Sequence, residues 1–508
     1  MQTRRQQLVA EMTALEVLRR GRFKRPMEVR ASEYTSSMQA DARLFSSVVQ
    51  INIAHTIMLA ERRIIPLQDA SAILRALHNL HERGIKALDL RPDLEDIHMS
   101  VEKFVAAATS DKVGGKLHTA KSRNDQVATA IRMALRPEIL GIQAALLDLA
   151  NNLVALAEKN VTTIMPGYTH LQAAQPTTFA HYLAAYAWAF LRDVERLERA
   201  YEQTNSCPMG ACALAGTGFQ IDRVRVARLL GFNRVVENTM EAVSARDFAL
   251  QAMSALAILM GNLSRLAEEL VLWSSAEFDM IEMPDEFSST SSIMPQKKNP
   301  VVPEIARAKA GRVVGDLLAA LTTMKALPQS YSLDLQELTP SMWDAVDQTK
   351  DSVAIMAKVI GAIKPKTGNM RRRAEESFAV ATDLADALVQ DAGLAFRDAH
   401  SVVGRMVAKA AQAGKSPRDL SFEDLQSAAR EALNKDIQLS ELKFRRALNV
   451  EVCVEAREVI GGPAPKAMRA QVDGLRAKIK GHEKLILAET RGIEKNEEKL
   501  LRLARVFK

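Results

Sequence analysis

The stretch Ile139-Leu140-Gly141-Ile142-Gln143-Ala144-Ala145-Leu146-Leu147-Asp148-Leu149-Ala150-Asn151-Asn152-Leu153-Val154-Ala155-Leu156 decides the fold class. Its apolar residues Ile139, Ile142, Leu146, Leu149, Leu153 and Leu156 recur at steps of three and four, which places them on one face of a helix. Upstream, Val127, Ile131 and Leu135 keep the same spacing, and Pro137 between the two runs predicts a kink. Further out, the pattern predicts a helix from Pro176 through Trp188 to Glu202, another over 244–277, and a third from Pro303 to Lys325. Helices of roughly 25 to 35 residues exceed the globular mean and point to an all-α, elongated multi-helix bundle. Long helices whose faces stay apolar need partners, so the pattern predicts an oligomer.

Composition agrees with helices. Of 508 residues, 47% are hydrophobic and only 5% aromatic, and alternating β-branched runs are scarce. No uninterrupted apolar stretch approaches the roughly 20 residues of a membrane span, so no membrane partner is expected. The N-terminal Met1-Gln2-Thr3-Arg4-Arg5-Gln6-Gln7 lacks a signal-peptide core. The three cysteines, Cys207, Cys212 and Cys453, make no disulfide framework, and no Cys/His cluster has metal-ligand spacing. The expectation is a reduced, cytoplasmic protein with no metal and no cofactor.

The net charge of +7 lies almost entirely at one end, because residues 466–508 hold 12 Lys/Arg against 6 Asp/Glu. With no basic-aromatic interleaving elsewhere, a nucleic-acid partner is unlikely and would sit on this tail. The tail also repeats: Val472, Ile479, Ile486, Ile493, Leu500 and Phe507 fall seven residues apart. The companion positions Leu475, His482, Glu489, Asn496 and Leu503 are apolar only at the ends, so it reads as a one-stripe packing arm or a weak coiled coil. Breaks at 367–370 and at Gly461-Gly462-Pro463 complete a four-part division: 1–119, mixed and helical; 120–367, long helices; 368–465, a smaller helical unit; and 466–508, the basic tail.

One polar segment stands out from the helices: Ser289-Thr290-Ser291-Ser292-Ile293-Met294-Pro295-Gln296-Lys297-Lys298-Asn299-Pro300. Pro295 and Pro300 prevent one regular helix here, leaving a loop rich in hydroxyls and cations. Such a loop suits a reaction that builds negative charge beside a carboxylate. The segment resembles the signature of the fumarase/aspartase superfamily, and its Gln-Lys-Lys-Asn-Pro ending is most similar to the argininosuccinate lyase family.

Four more blocks resemble that family in its own order. They are Ser36-Ser37 followed by Asp41-Ala42-Arg43-Leu44; Glu95-Asp96-Ile97-His98; His118 to Thr129, containing Ser122-Arg123-Asn124-Asp125-Gln126; and Pro166 to Gln172, continuing through Gln175-Pro176 to His181. The resemblance implies a bundle of the fumarase/aspartase type, with the central helices of a homotetramer packed together and active sites shared between subunits. It implies a small-molecule substrate, argininosuccinate, cleaved reversibly to arginine and fumarate in the last step of arginine biosynthesis.

By the same resemblance Ser291 is the base, with Lys297 and Asn299 holding the aci-carboxylate. A serine needs surrounding donors to serve as a base, because its hydroxyl is scarcely ionised at neutral pH. His170 pairs with Glu304, and protonates the leaving nitrogen or shapes the site. Thr169, Ser122, Arg123 and Asn124 bind the fumarate-side carboxylates, while Ser37, Tyr331 and Gln336 belong to the arginine side. His98 is a weaker candidate. Several positions depart from the family pattern: Thr290 for glycine, Lys121 for arginine, Ala173 for arginine, Ser332 and Leu333 for asparagine and a basic residue, and Thr339 for lysine. Two other classes compete: a sister lyase acting on adenylosuccinate or aspartate, and a non-catalytic scaffold that docks through its tail.

Overall fold

The computed structural model describes residues 27–507; the Met1–Gln7 segment considered above lies outside them. Six long helices dominate: α1 (Arg123–Lys159), α2 (Phe179–Thr204), α3 (Asp247–Ser274), α4 (Val301–Met324), α5 (Leu335–Ala362) and α6 (Pro465–Val506). In the central bundle α1 packs along α2 and α5, while α4 lies between α3 and α5. The face of α1 read from the sequence is the packed one, with Ile139, Ile142, Leu146, Leu149 and Leu153 all buried. Each such side chain contributes roughly 1.5–3 kcal/mol on leaving water. The helix runs unbroken through Pro137, so no interruption separates its two apolar runs.

Of the shorter helices, Phe45–Glu61 packs on α1, and Leu67–Arg83 and Ile97–Ala108 pack in turn on Phe45–Glu61 and on each other. They share one continuous apolar core with the long helices, running from Met38 to Ala504. By length and hydropathy Met38–Glu61 and Arg123–Lys159 qualify as membrane spans, yet 78% and 56% of their most apolar windows are buried within the chain. Residues 384–447 carry a second, separate core around Leu388, Val402, Met406 and Phe444. The predicted break at 367–370 falls inside a helix, Thr367–Glu376. The chain turns just before it, where Lys364–Pro365 pairs with Ile281–Glu282 as a two-residue ladder.

The basic tail is part of the molecule's core. Met468, Val472, Leu475, Ile479, Ile486 and Leu500 of α6 are buried against α1, α2 and the N-terminal helices. Its polar companion positions have specific partners. His482 Nδ1 lies 2.6 Å from Glu198, Tyr201 donates its hydroxyl hydrogen to Glu489 at 3.0 Å, and Asn496 donates to the Leu229 carbonyl at 2.7 Å. A seam that looks defective for a coiled coil is thus matched, position by position, to its own chain.

Candidate functional site

The sequence residues gather into three groups. The first is built at the N-terminus of α1. Ser122 caps the helix: its Oγ accepts from Asn124 N at 3.3 Å, and Asp125 Oδ1 accepts from Ser122 N at 3.0 Å. Asp125 Oδ2 also accepts from the backbone N–H groups of Gly210 (3.0 Å) and Cys212 (2.8 Å), so one buried carboxylate ties two segments together. Burial nevertheless pushes its pKa up to about 6, against the pull of those donors. The Asn124 side chain donates to the Ala213 carbonyl at 3.0 Å, a second tie to the same segment.

This end of α1 opens on a cavity of about 390 Å³ that brings together Ser37, Arg123, Asn124, Tyr331 and Gln336. Five long-range candidates therefore meet in one place. Ser37 donates to Asp41, whose pKa burial raises to about 7, and Gln336 donates to the Thr35 carbonyl at 3.0 Å. Arg123 is held by Glu95 (2.7 Å) and Asp96 (3.1 Å), so two of the chain's own carboxylates already occupy this fork. Burial holds the Asp96 carboxyl above its ordinary range in spite of Arg123. Leu333 and Thr339 line the same cavity, whereas Lys121 does not. Its ammonium is buried among the N-terminal helices, donating to Asn52, and desolvation lowers its pKa to about 8.

The second group lies on an antiparallel hairpin, β1 (Ile164–Thr169) and β2 (Gln172–Thr178), where the sequence suggested a loop followed by a helix. Pro176 sits in β2, and α2 starts only at Phe179, with Thr178 as its cap, because Oγ1 of Thr178 accepts from His181 N. The hairpin turns through His170 and Leu171, at φ 55° and 57°. Two-residue hairpins favour this left-handed backbone, and non-glycine residues accept it at a cost found mostly at functional sites. Thr169 and His170 are exposed, and His170 lines a 560 Å³ cleft with Tyr168, Tyr182, Glu269 and Phe278.

The third group is the polar loop. Ser289–Thr290 pairs with Lys298–Asn299, so Thr290 stands in an extended strand, where a β-branched residue fits and no glycine is needed. Between the strands, Ser291 Oγ accepts from the backbone N–H groups of Ile293 (3.3 Å) and Met294 (3.1 Å). Two amides aimed at one hydroxyl oxygen favour negative charge there. Lys298 is tied to Asp285 at 2.5 Å, whereas Lys297 is exposed and has no ion pair among the described residues. Asn299 closes the hairpin and Glu304 lies in the first turn of α4. Among the described residues no hydrogen bond joins Glu304 to His170, and none links the hairpin or the polar loop to the residues lining the 390 Å³ cavity.

His98 is fully buried with both ring nitrogens unpartnered, and desolvation takes its pKa down to about 3. The residue that sequence reasoning missed is Arg246. It lines the cavity just before α3, in a position read as the first turn of the 244–277 helix, and no motif marks it.

Long helices in this order, with a polar loop preceding the fourth, form the all-α bundle expected of the fumarase/aspartase fold. A family described as lyase matches residues 21–315. The chain superposes on an EDDS lyase variant with bound fumarate at a TM-score of 0.87 and 30% identity, covering 97% of this chain and 98% of that one. Class II fumarase from Schistosoma mansoni shares the fold at a TM-score of 0.68, with 17% identity over 81% of this chain and 90% of its own. Within that class, the chain belongs to the argininosuccinate lyase family. An argininosuccinate lyase C-terminal family matches residues 378–455. The chain is 45% identical to argininosuccinate lyase from Methanothermobacter thermautotrophicus over 92% of this chain and 100% of that protein. To the Methanocaldococcus jannaschii enzyme it is 42% identical over 487 residues, 96% of this chain and 99% of the other. So long a match leaves too little of the 508 residues unpaired to exclude the whole tail from the shared architecture.

Proposed function

We propose that this chain cleaves argininosuccinate reversibly to arginine and fumarate. The end-to-end similarity to argininosuccinate lyases carries the reading of the substrate. The chemistry is a β-elimination: a base removes the proton beside a succinyl carboxylate, charge accumulates on that carboxylate, and the carbon–nitrogen bond then breaks. Ser291 is the base, and the Ile293 and Met294 amides stabilise its alkoxide. Lys297, exposed and without an ion pair among the described residues, and Asn299 take up the aci-carboxylate charge. His170, with Glu304 fixing its tautomer, faces the departing guanidino nitrogen. Ser122, Arg123, Asn124 and Thr169 receive the remaining succinyl carboxylate, and Ser37, Tyr331 and Gln336 the arginine end.

These roles require more than one chain. Within a single chain the cavity, the hairpin tip and the polar loop remain three separate surfaces, two of them exposed. A cytoplasmic homotetramer, in which α3, α4 and α5 of four copies pack together, brings a cavity from one subunit to a hairpin and a loop from others. Exposed Ile305, Val314, Leu318 and Leu321 on α4 supply apolar surface for that packing. The division at 119, 367 and 465 then marks successive segments of each subunit rather than four independent cores, because the first, second and fourth segments share one apolar core.

Purified protein incubated separately with argininosuccinate, adenylosuccinate and aspartate, with fumarate followed by its ultraviolet absorbance, tests the reading. Fumarate is expected from argininosuccinate alone. Release from either other substrate instead points to a sister lyase, and silence on all three to a scaffold.

A further inference from the structure

The hairpin that presents Thr169 and His170 changes character along its length. Its lower part is a regular ladder, from Ile164 opposite Thr178 to Gly167 opposite Gln175. There the strands press together: a Cβ at Gly167 would lie 3.0 Å from the Gln175 carbonyl oxygen, a contact that glycine avoids. The register then shifts, so that Tyr168 pairs with Ala173 and Ala174 is left without a partner. The tip beyond this bulge is two residue pairs and the left-handed His170-Leu171 turn, with Thr169, His170 and Leu171 exposed. So short a ladder does not fix its own position.

What fixes the tip comes from outside the ladder. At the bulge the Tyr168 backbone N–H donates to the Tyr182 hydroxyl oxygen at 3.0 Å. Outside the ladder, and among the described residues, this is the sole hydrogen bond from residues 168–173 to the rest of the chain. Tyr182 is itself held. It stands at the start of α2, and its ring meets Trp273 edge-on, with centroids 5.4 Å apart and an interplanar angle of 84°. Trp273 is 1% exposed and packs in turn on Phe179. Burial keeps the Tyr182 phenol above its ordinary range, so it remains a neutral acceptor. The Tyr168 ring rests edge-on against Phe278 at 5.5 Å, which supports the same residue from its side chain.

We infer that Tyr182 is a positioning residue for the elimination: through the Tyr168 amide it sets where the tip carries Thr169 and His170. The inference rests on the roles proposed above for those two residues. A reacting group displaced by about 1 Å can lose on the order of a hundredfold in rate, and a single bond at the base of the tip governs that displacement here. Tyr182 lies one residue past His181, where the resemblance to the family blocks ends, so no motif singles it out.

Tyr182→Phe keeps the ring against Trp273 and removes only the oxygen that accepts from Tyr168. In the full-length assembled enzyme, kcat for argininosuccinate should fall by about tenfold to a hundredfold. KM should change by less than about threefold, because Ser122, Arg123 and Asn124 are held elsewhere in the fold. Amide hydrogen exchange in residues 164–173 should quicken, while exchange in α2 beyond Leu183 stays native and the melting temperature moves by less than about 3 °C. A native kcat in the variant, or a lowered kcat without faster exchange at the tip, overturns the inference. Faster exchange spread along α2 also overturns it, since Tyr182 would then be an ordinary packing residue, as does a raised KM with kcat unchanged. A native protein that releases no fumarate from argininosuccinate removes the underlying reading, and the positioning role with it.

Discussion

The α1 cavity and the Ser289–Pro300 loop are built in opposite ways. The cavity is assembled by the chain's own fold: a capped helix, paired carboxylates and arginines, and side chains drawn from positions 27 to 339. The loop hangs from a two-residue ladder, with Ile293 84% exposed and Lys297 without an ion pair among the described residues. Recognition is therefore coupled to folding, whereas the groups proposed for proton removal are nearly independent of it. The cavity is complete within one chain, whereas in the proposed assembly the loop gains a dry environment from a neighbouring surface, where its charges count for more.

This contrast makes separable predictions. The largest effect belongs to the loop. Ser291→Ala should lower kcat by roughly 10³-fold or more, with thermal stability and arginine binding unchanged. Steady-state rates beside a melting curve check both halves, and substantial remaining turnover would move the base elsewhere. Next comes the cavity's support. Asp125→Ala leaves the N–H groups of Ser122, Gly210 and Cys212 without their acceptor and should cost about 3 kcal/mol or more of stability. It should also raise KM more than it lowers kcat. Denaturant unfolding with parallel kinetics reads this, and a variant as stable as the native protein would break the coupling of recognition to folding.

The smallest effect depends on pH. His98 has a folded pKa of about 3 against an ordinary 6.5, so between those values the unfolded chain binds a proton that the folded chain refuses. Stability from this group is complete above pH 6.5 and declines as pH falls toward 3. His98→Phe should therefore lose less melting temperature than the native protein between pH 7 and pH 5. Parallel profiles would mean that His98 is not kept neutral in the fold.

The sequence made some of this plain and hid the rest for physical reasons. The buried face of α1 was readable because 3.6-residue periodicity is a local signal, visible in Ile139 to Leu153. The hairpin was not, since its turn is made by His170 and Leu171 rather than by the Asn-Gly or Asp-Gly pair that usually announces a left-handed turn. Pro176, which looks like a helix opener, pairs with Pro166 in the ladder instead. Thr290 looked restrictive as a substitute for glycine, yet its backbone is extended. Arg246 left no trace at all, because its place in the cavity lining appears only when distant segments are packed together. The tail's polar positions were misleading in isolation for the same reason: Glu198, Tyr201 and Leu229 complete them from far away in the chain.

The claim at the centre of this account is that Ser291 and His170 act in one site but come from different subunits. The most direct measurement mixes two inactive full-length variants, Ser291→Ala and His170→Asn, dissociates and reassembles them together, and records fumarate release from argininosuccinate. Random reassembly should return about a quarter of native sites, and a matching share of activity. A mixture as inactive as its components, in assemblies shown to contain both variants, would place the two residues in the same subunit's site and contradict the account.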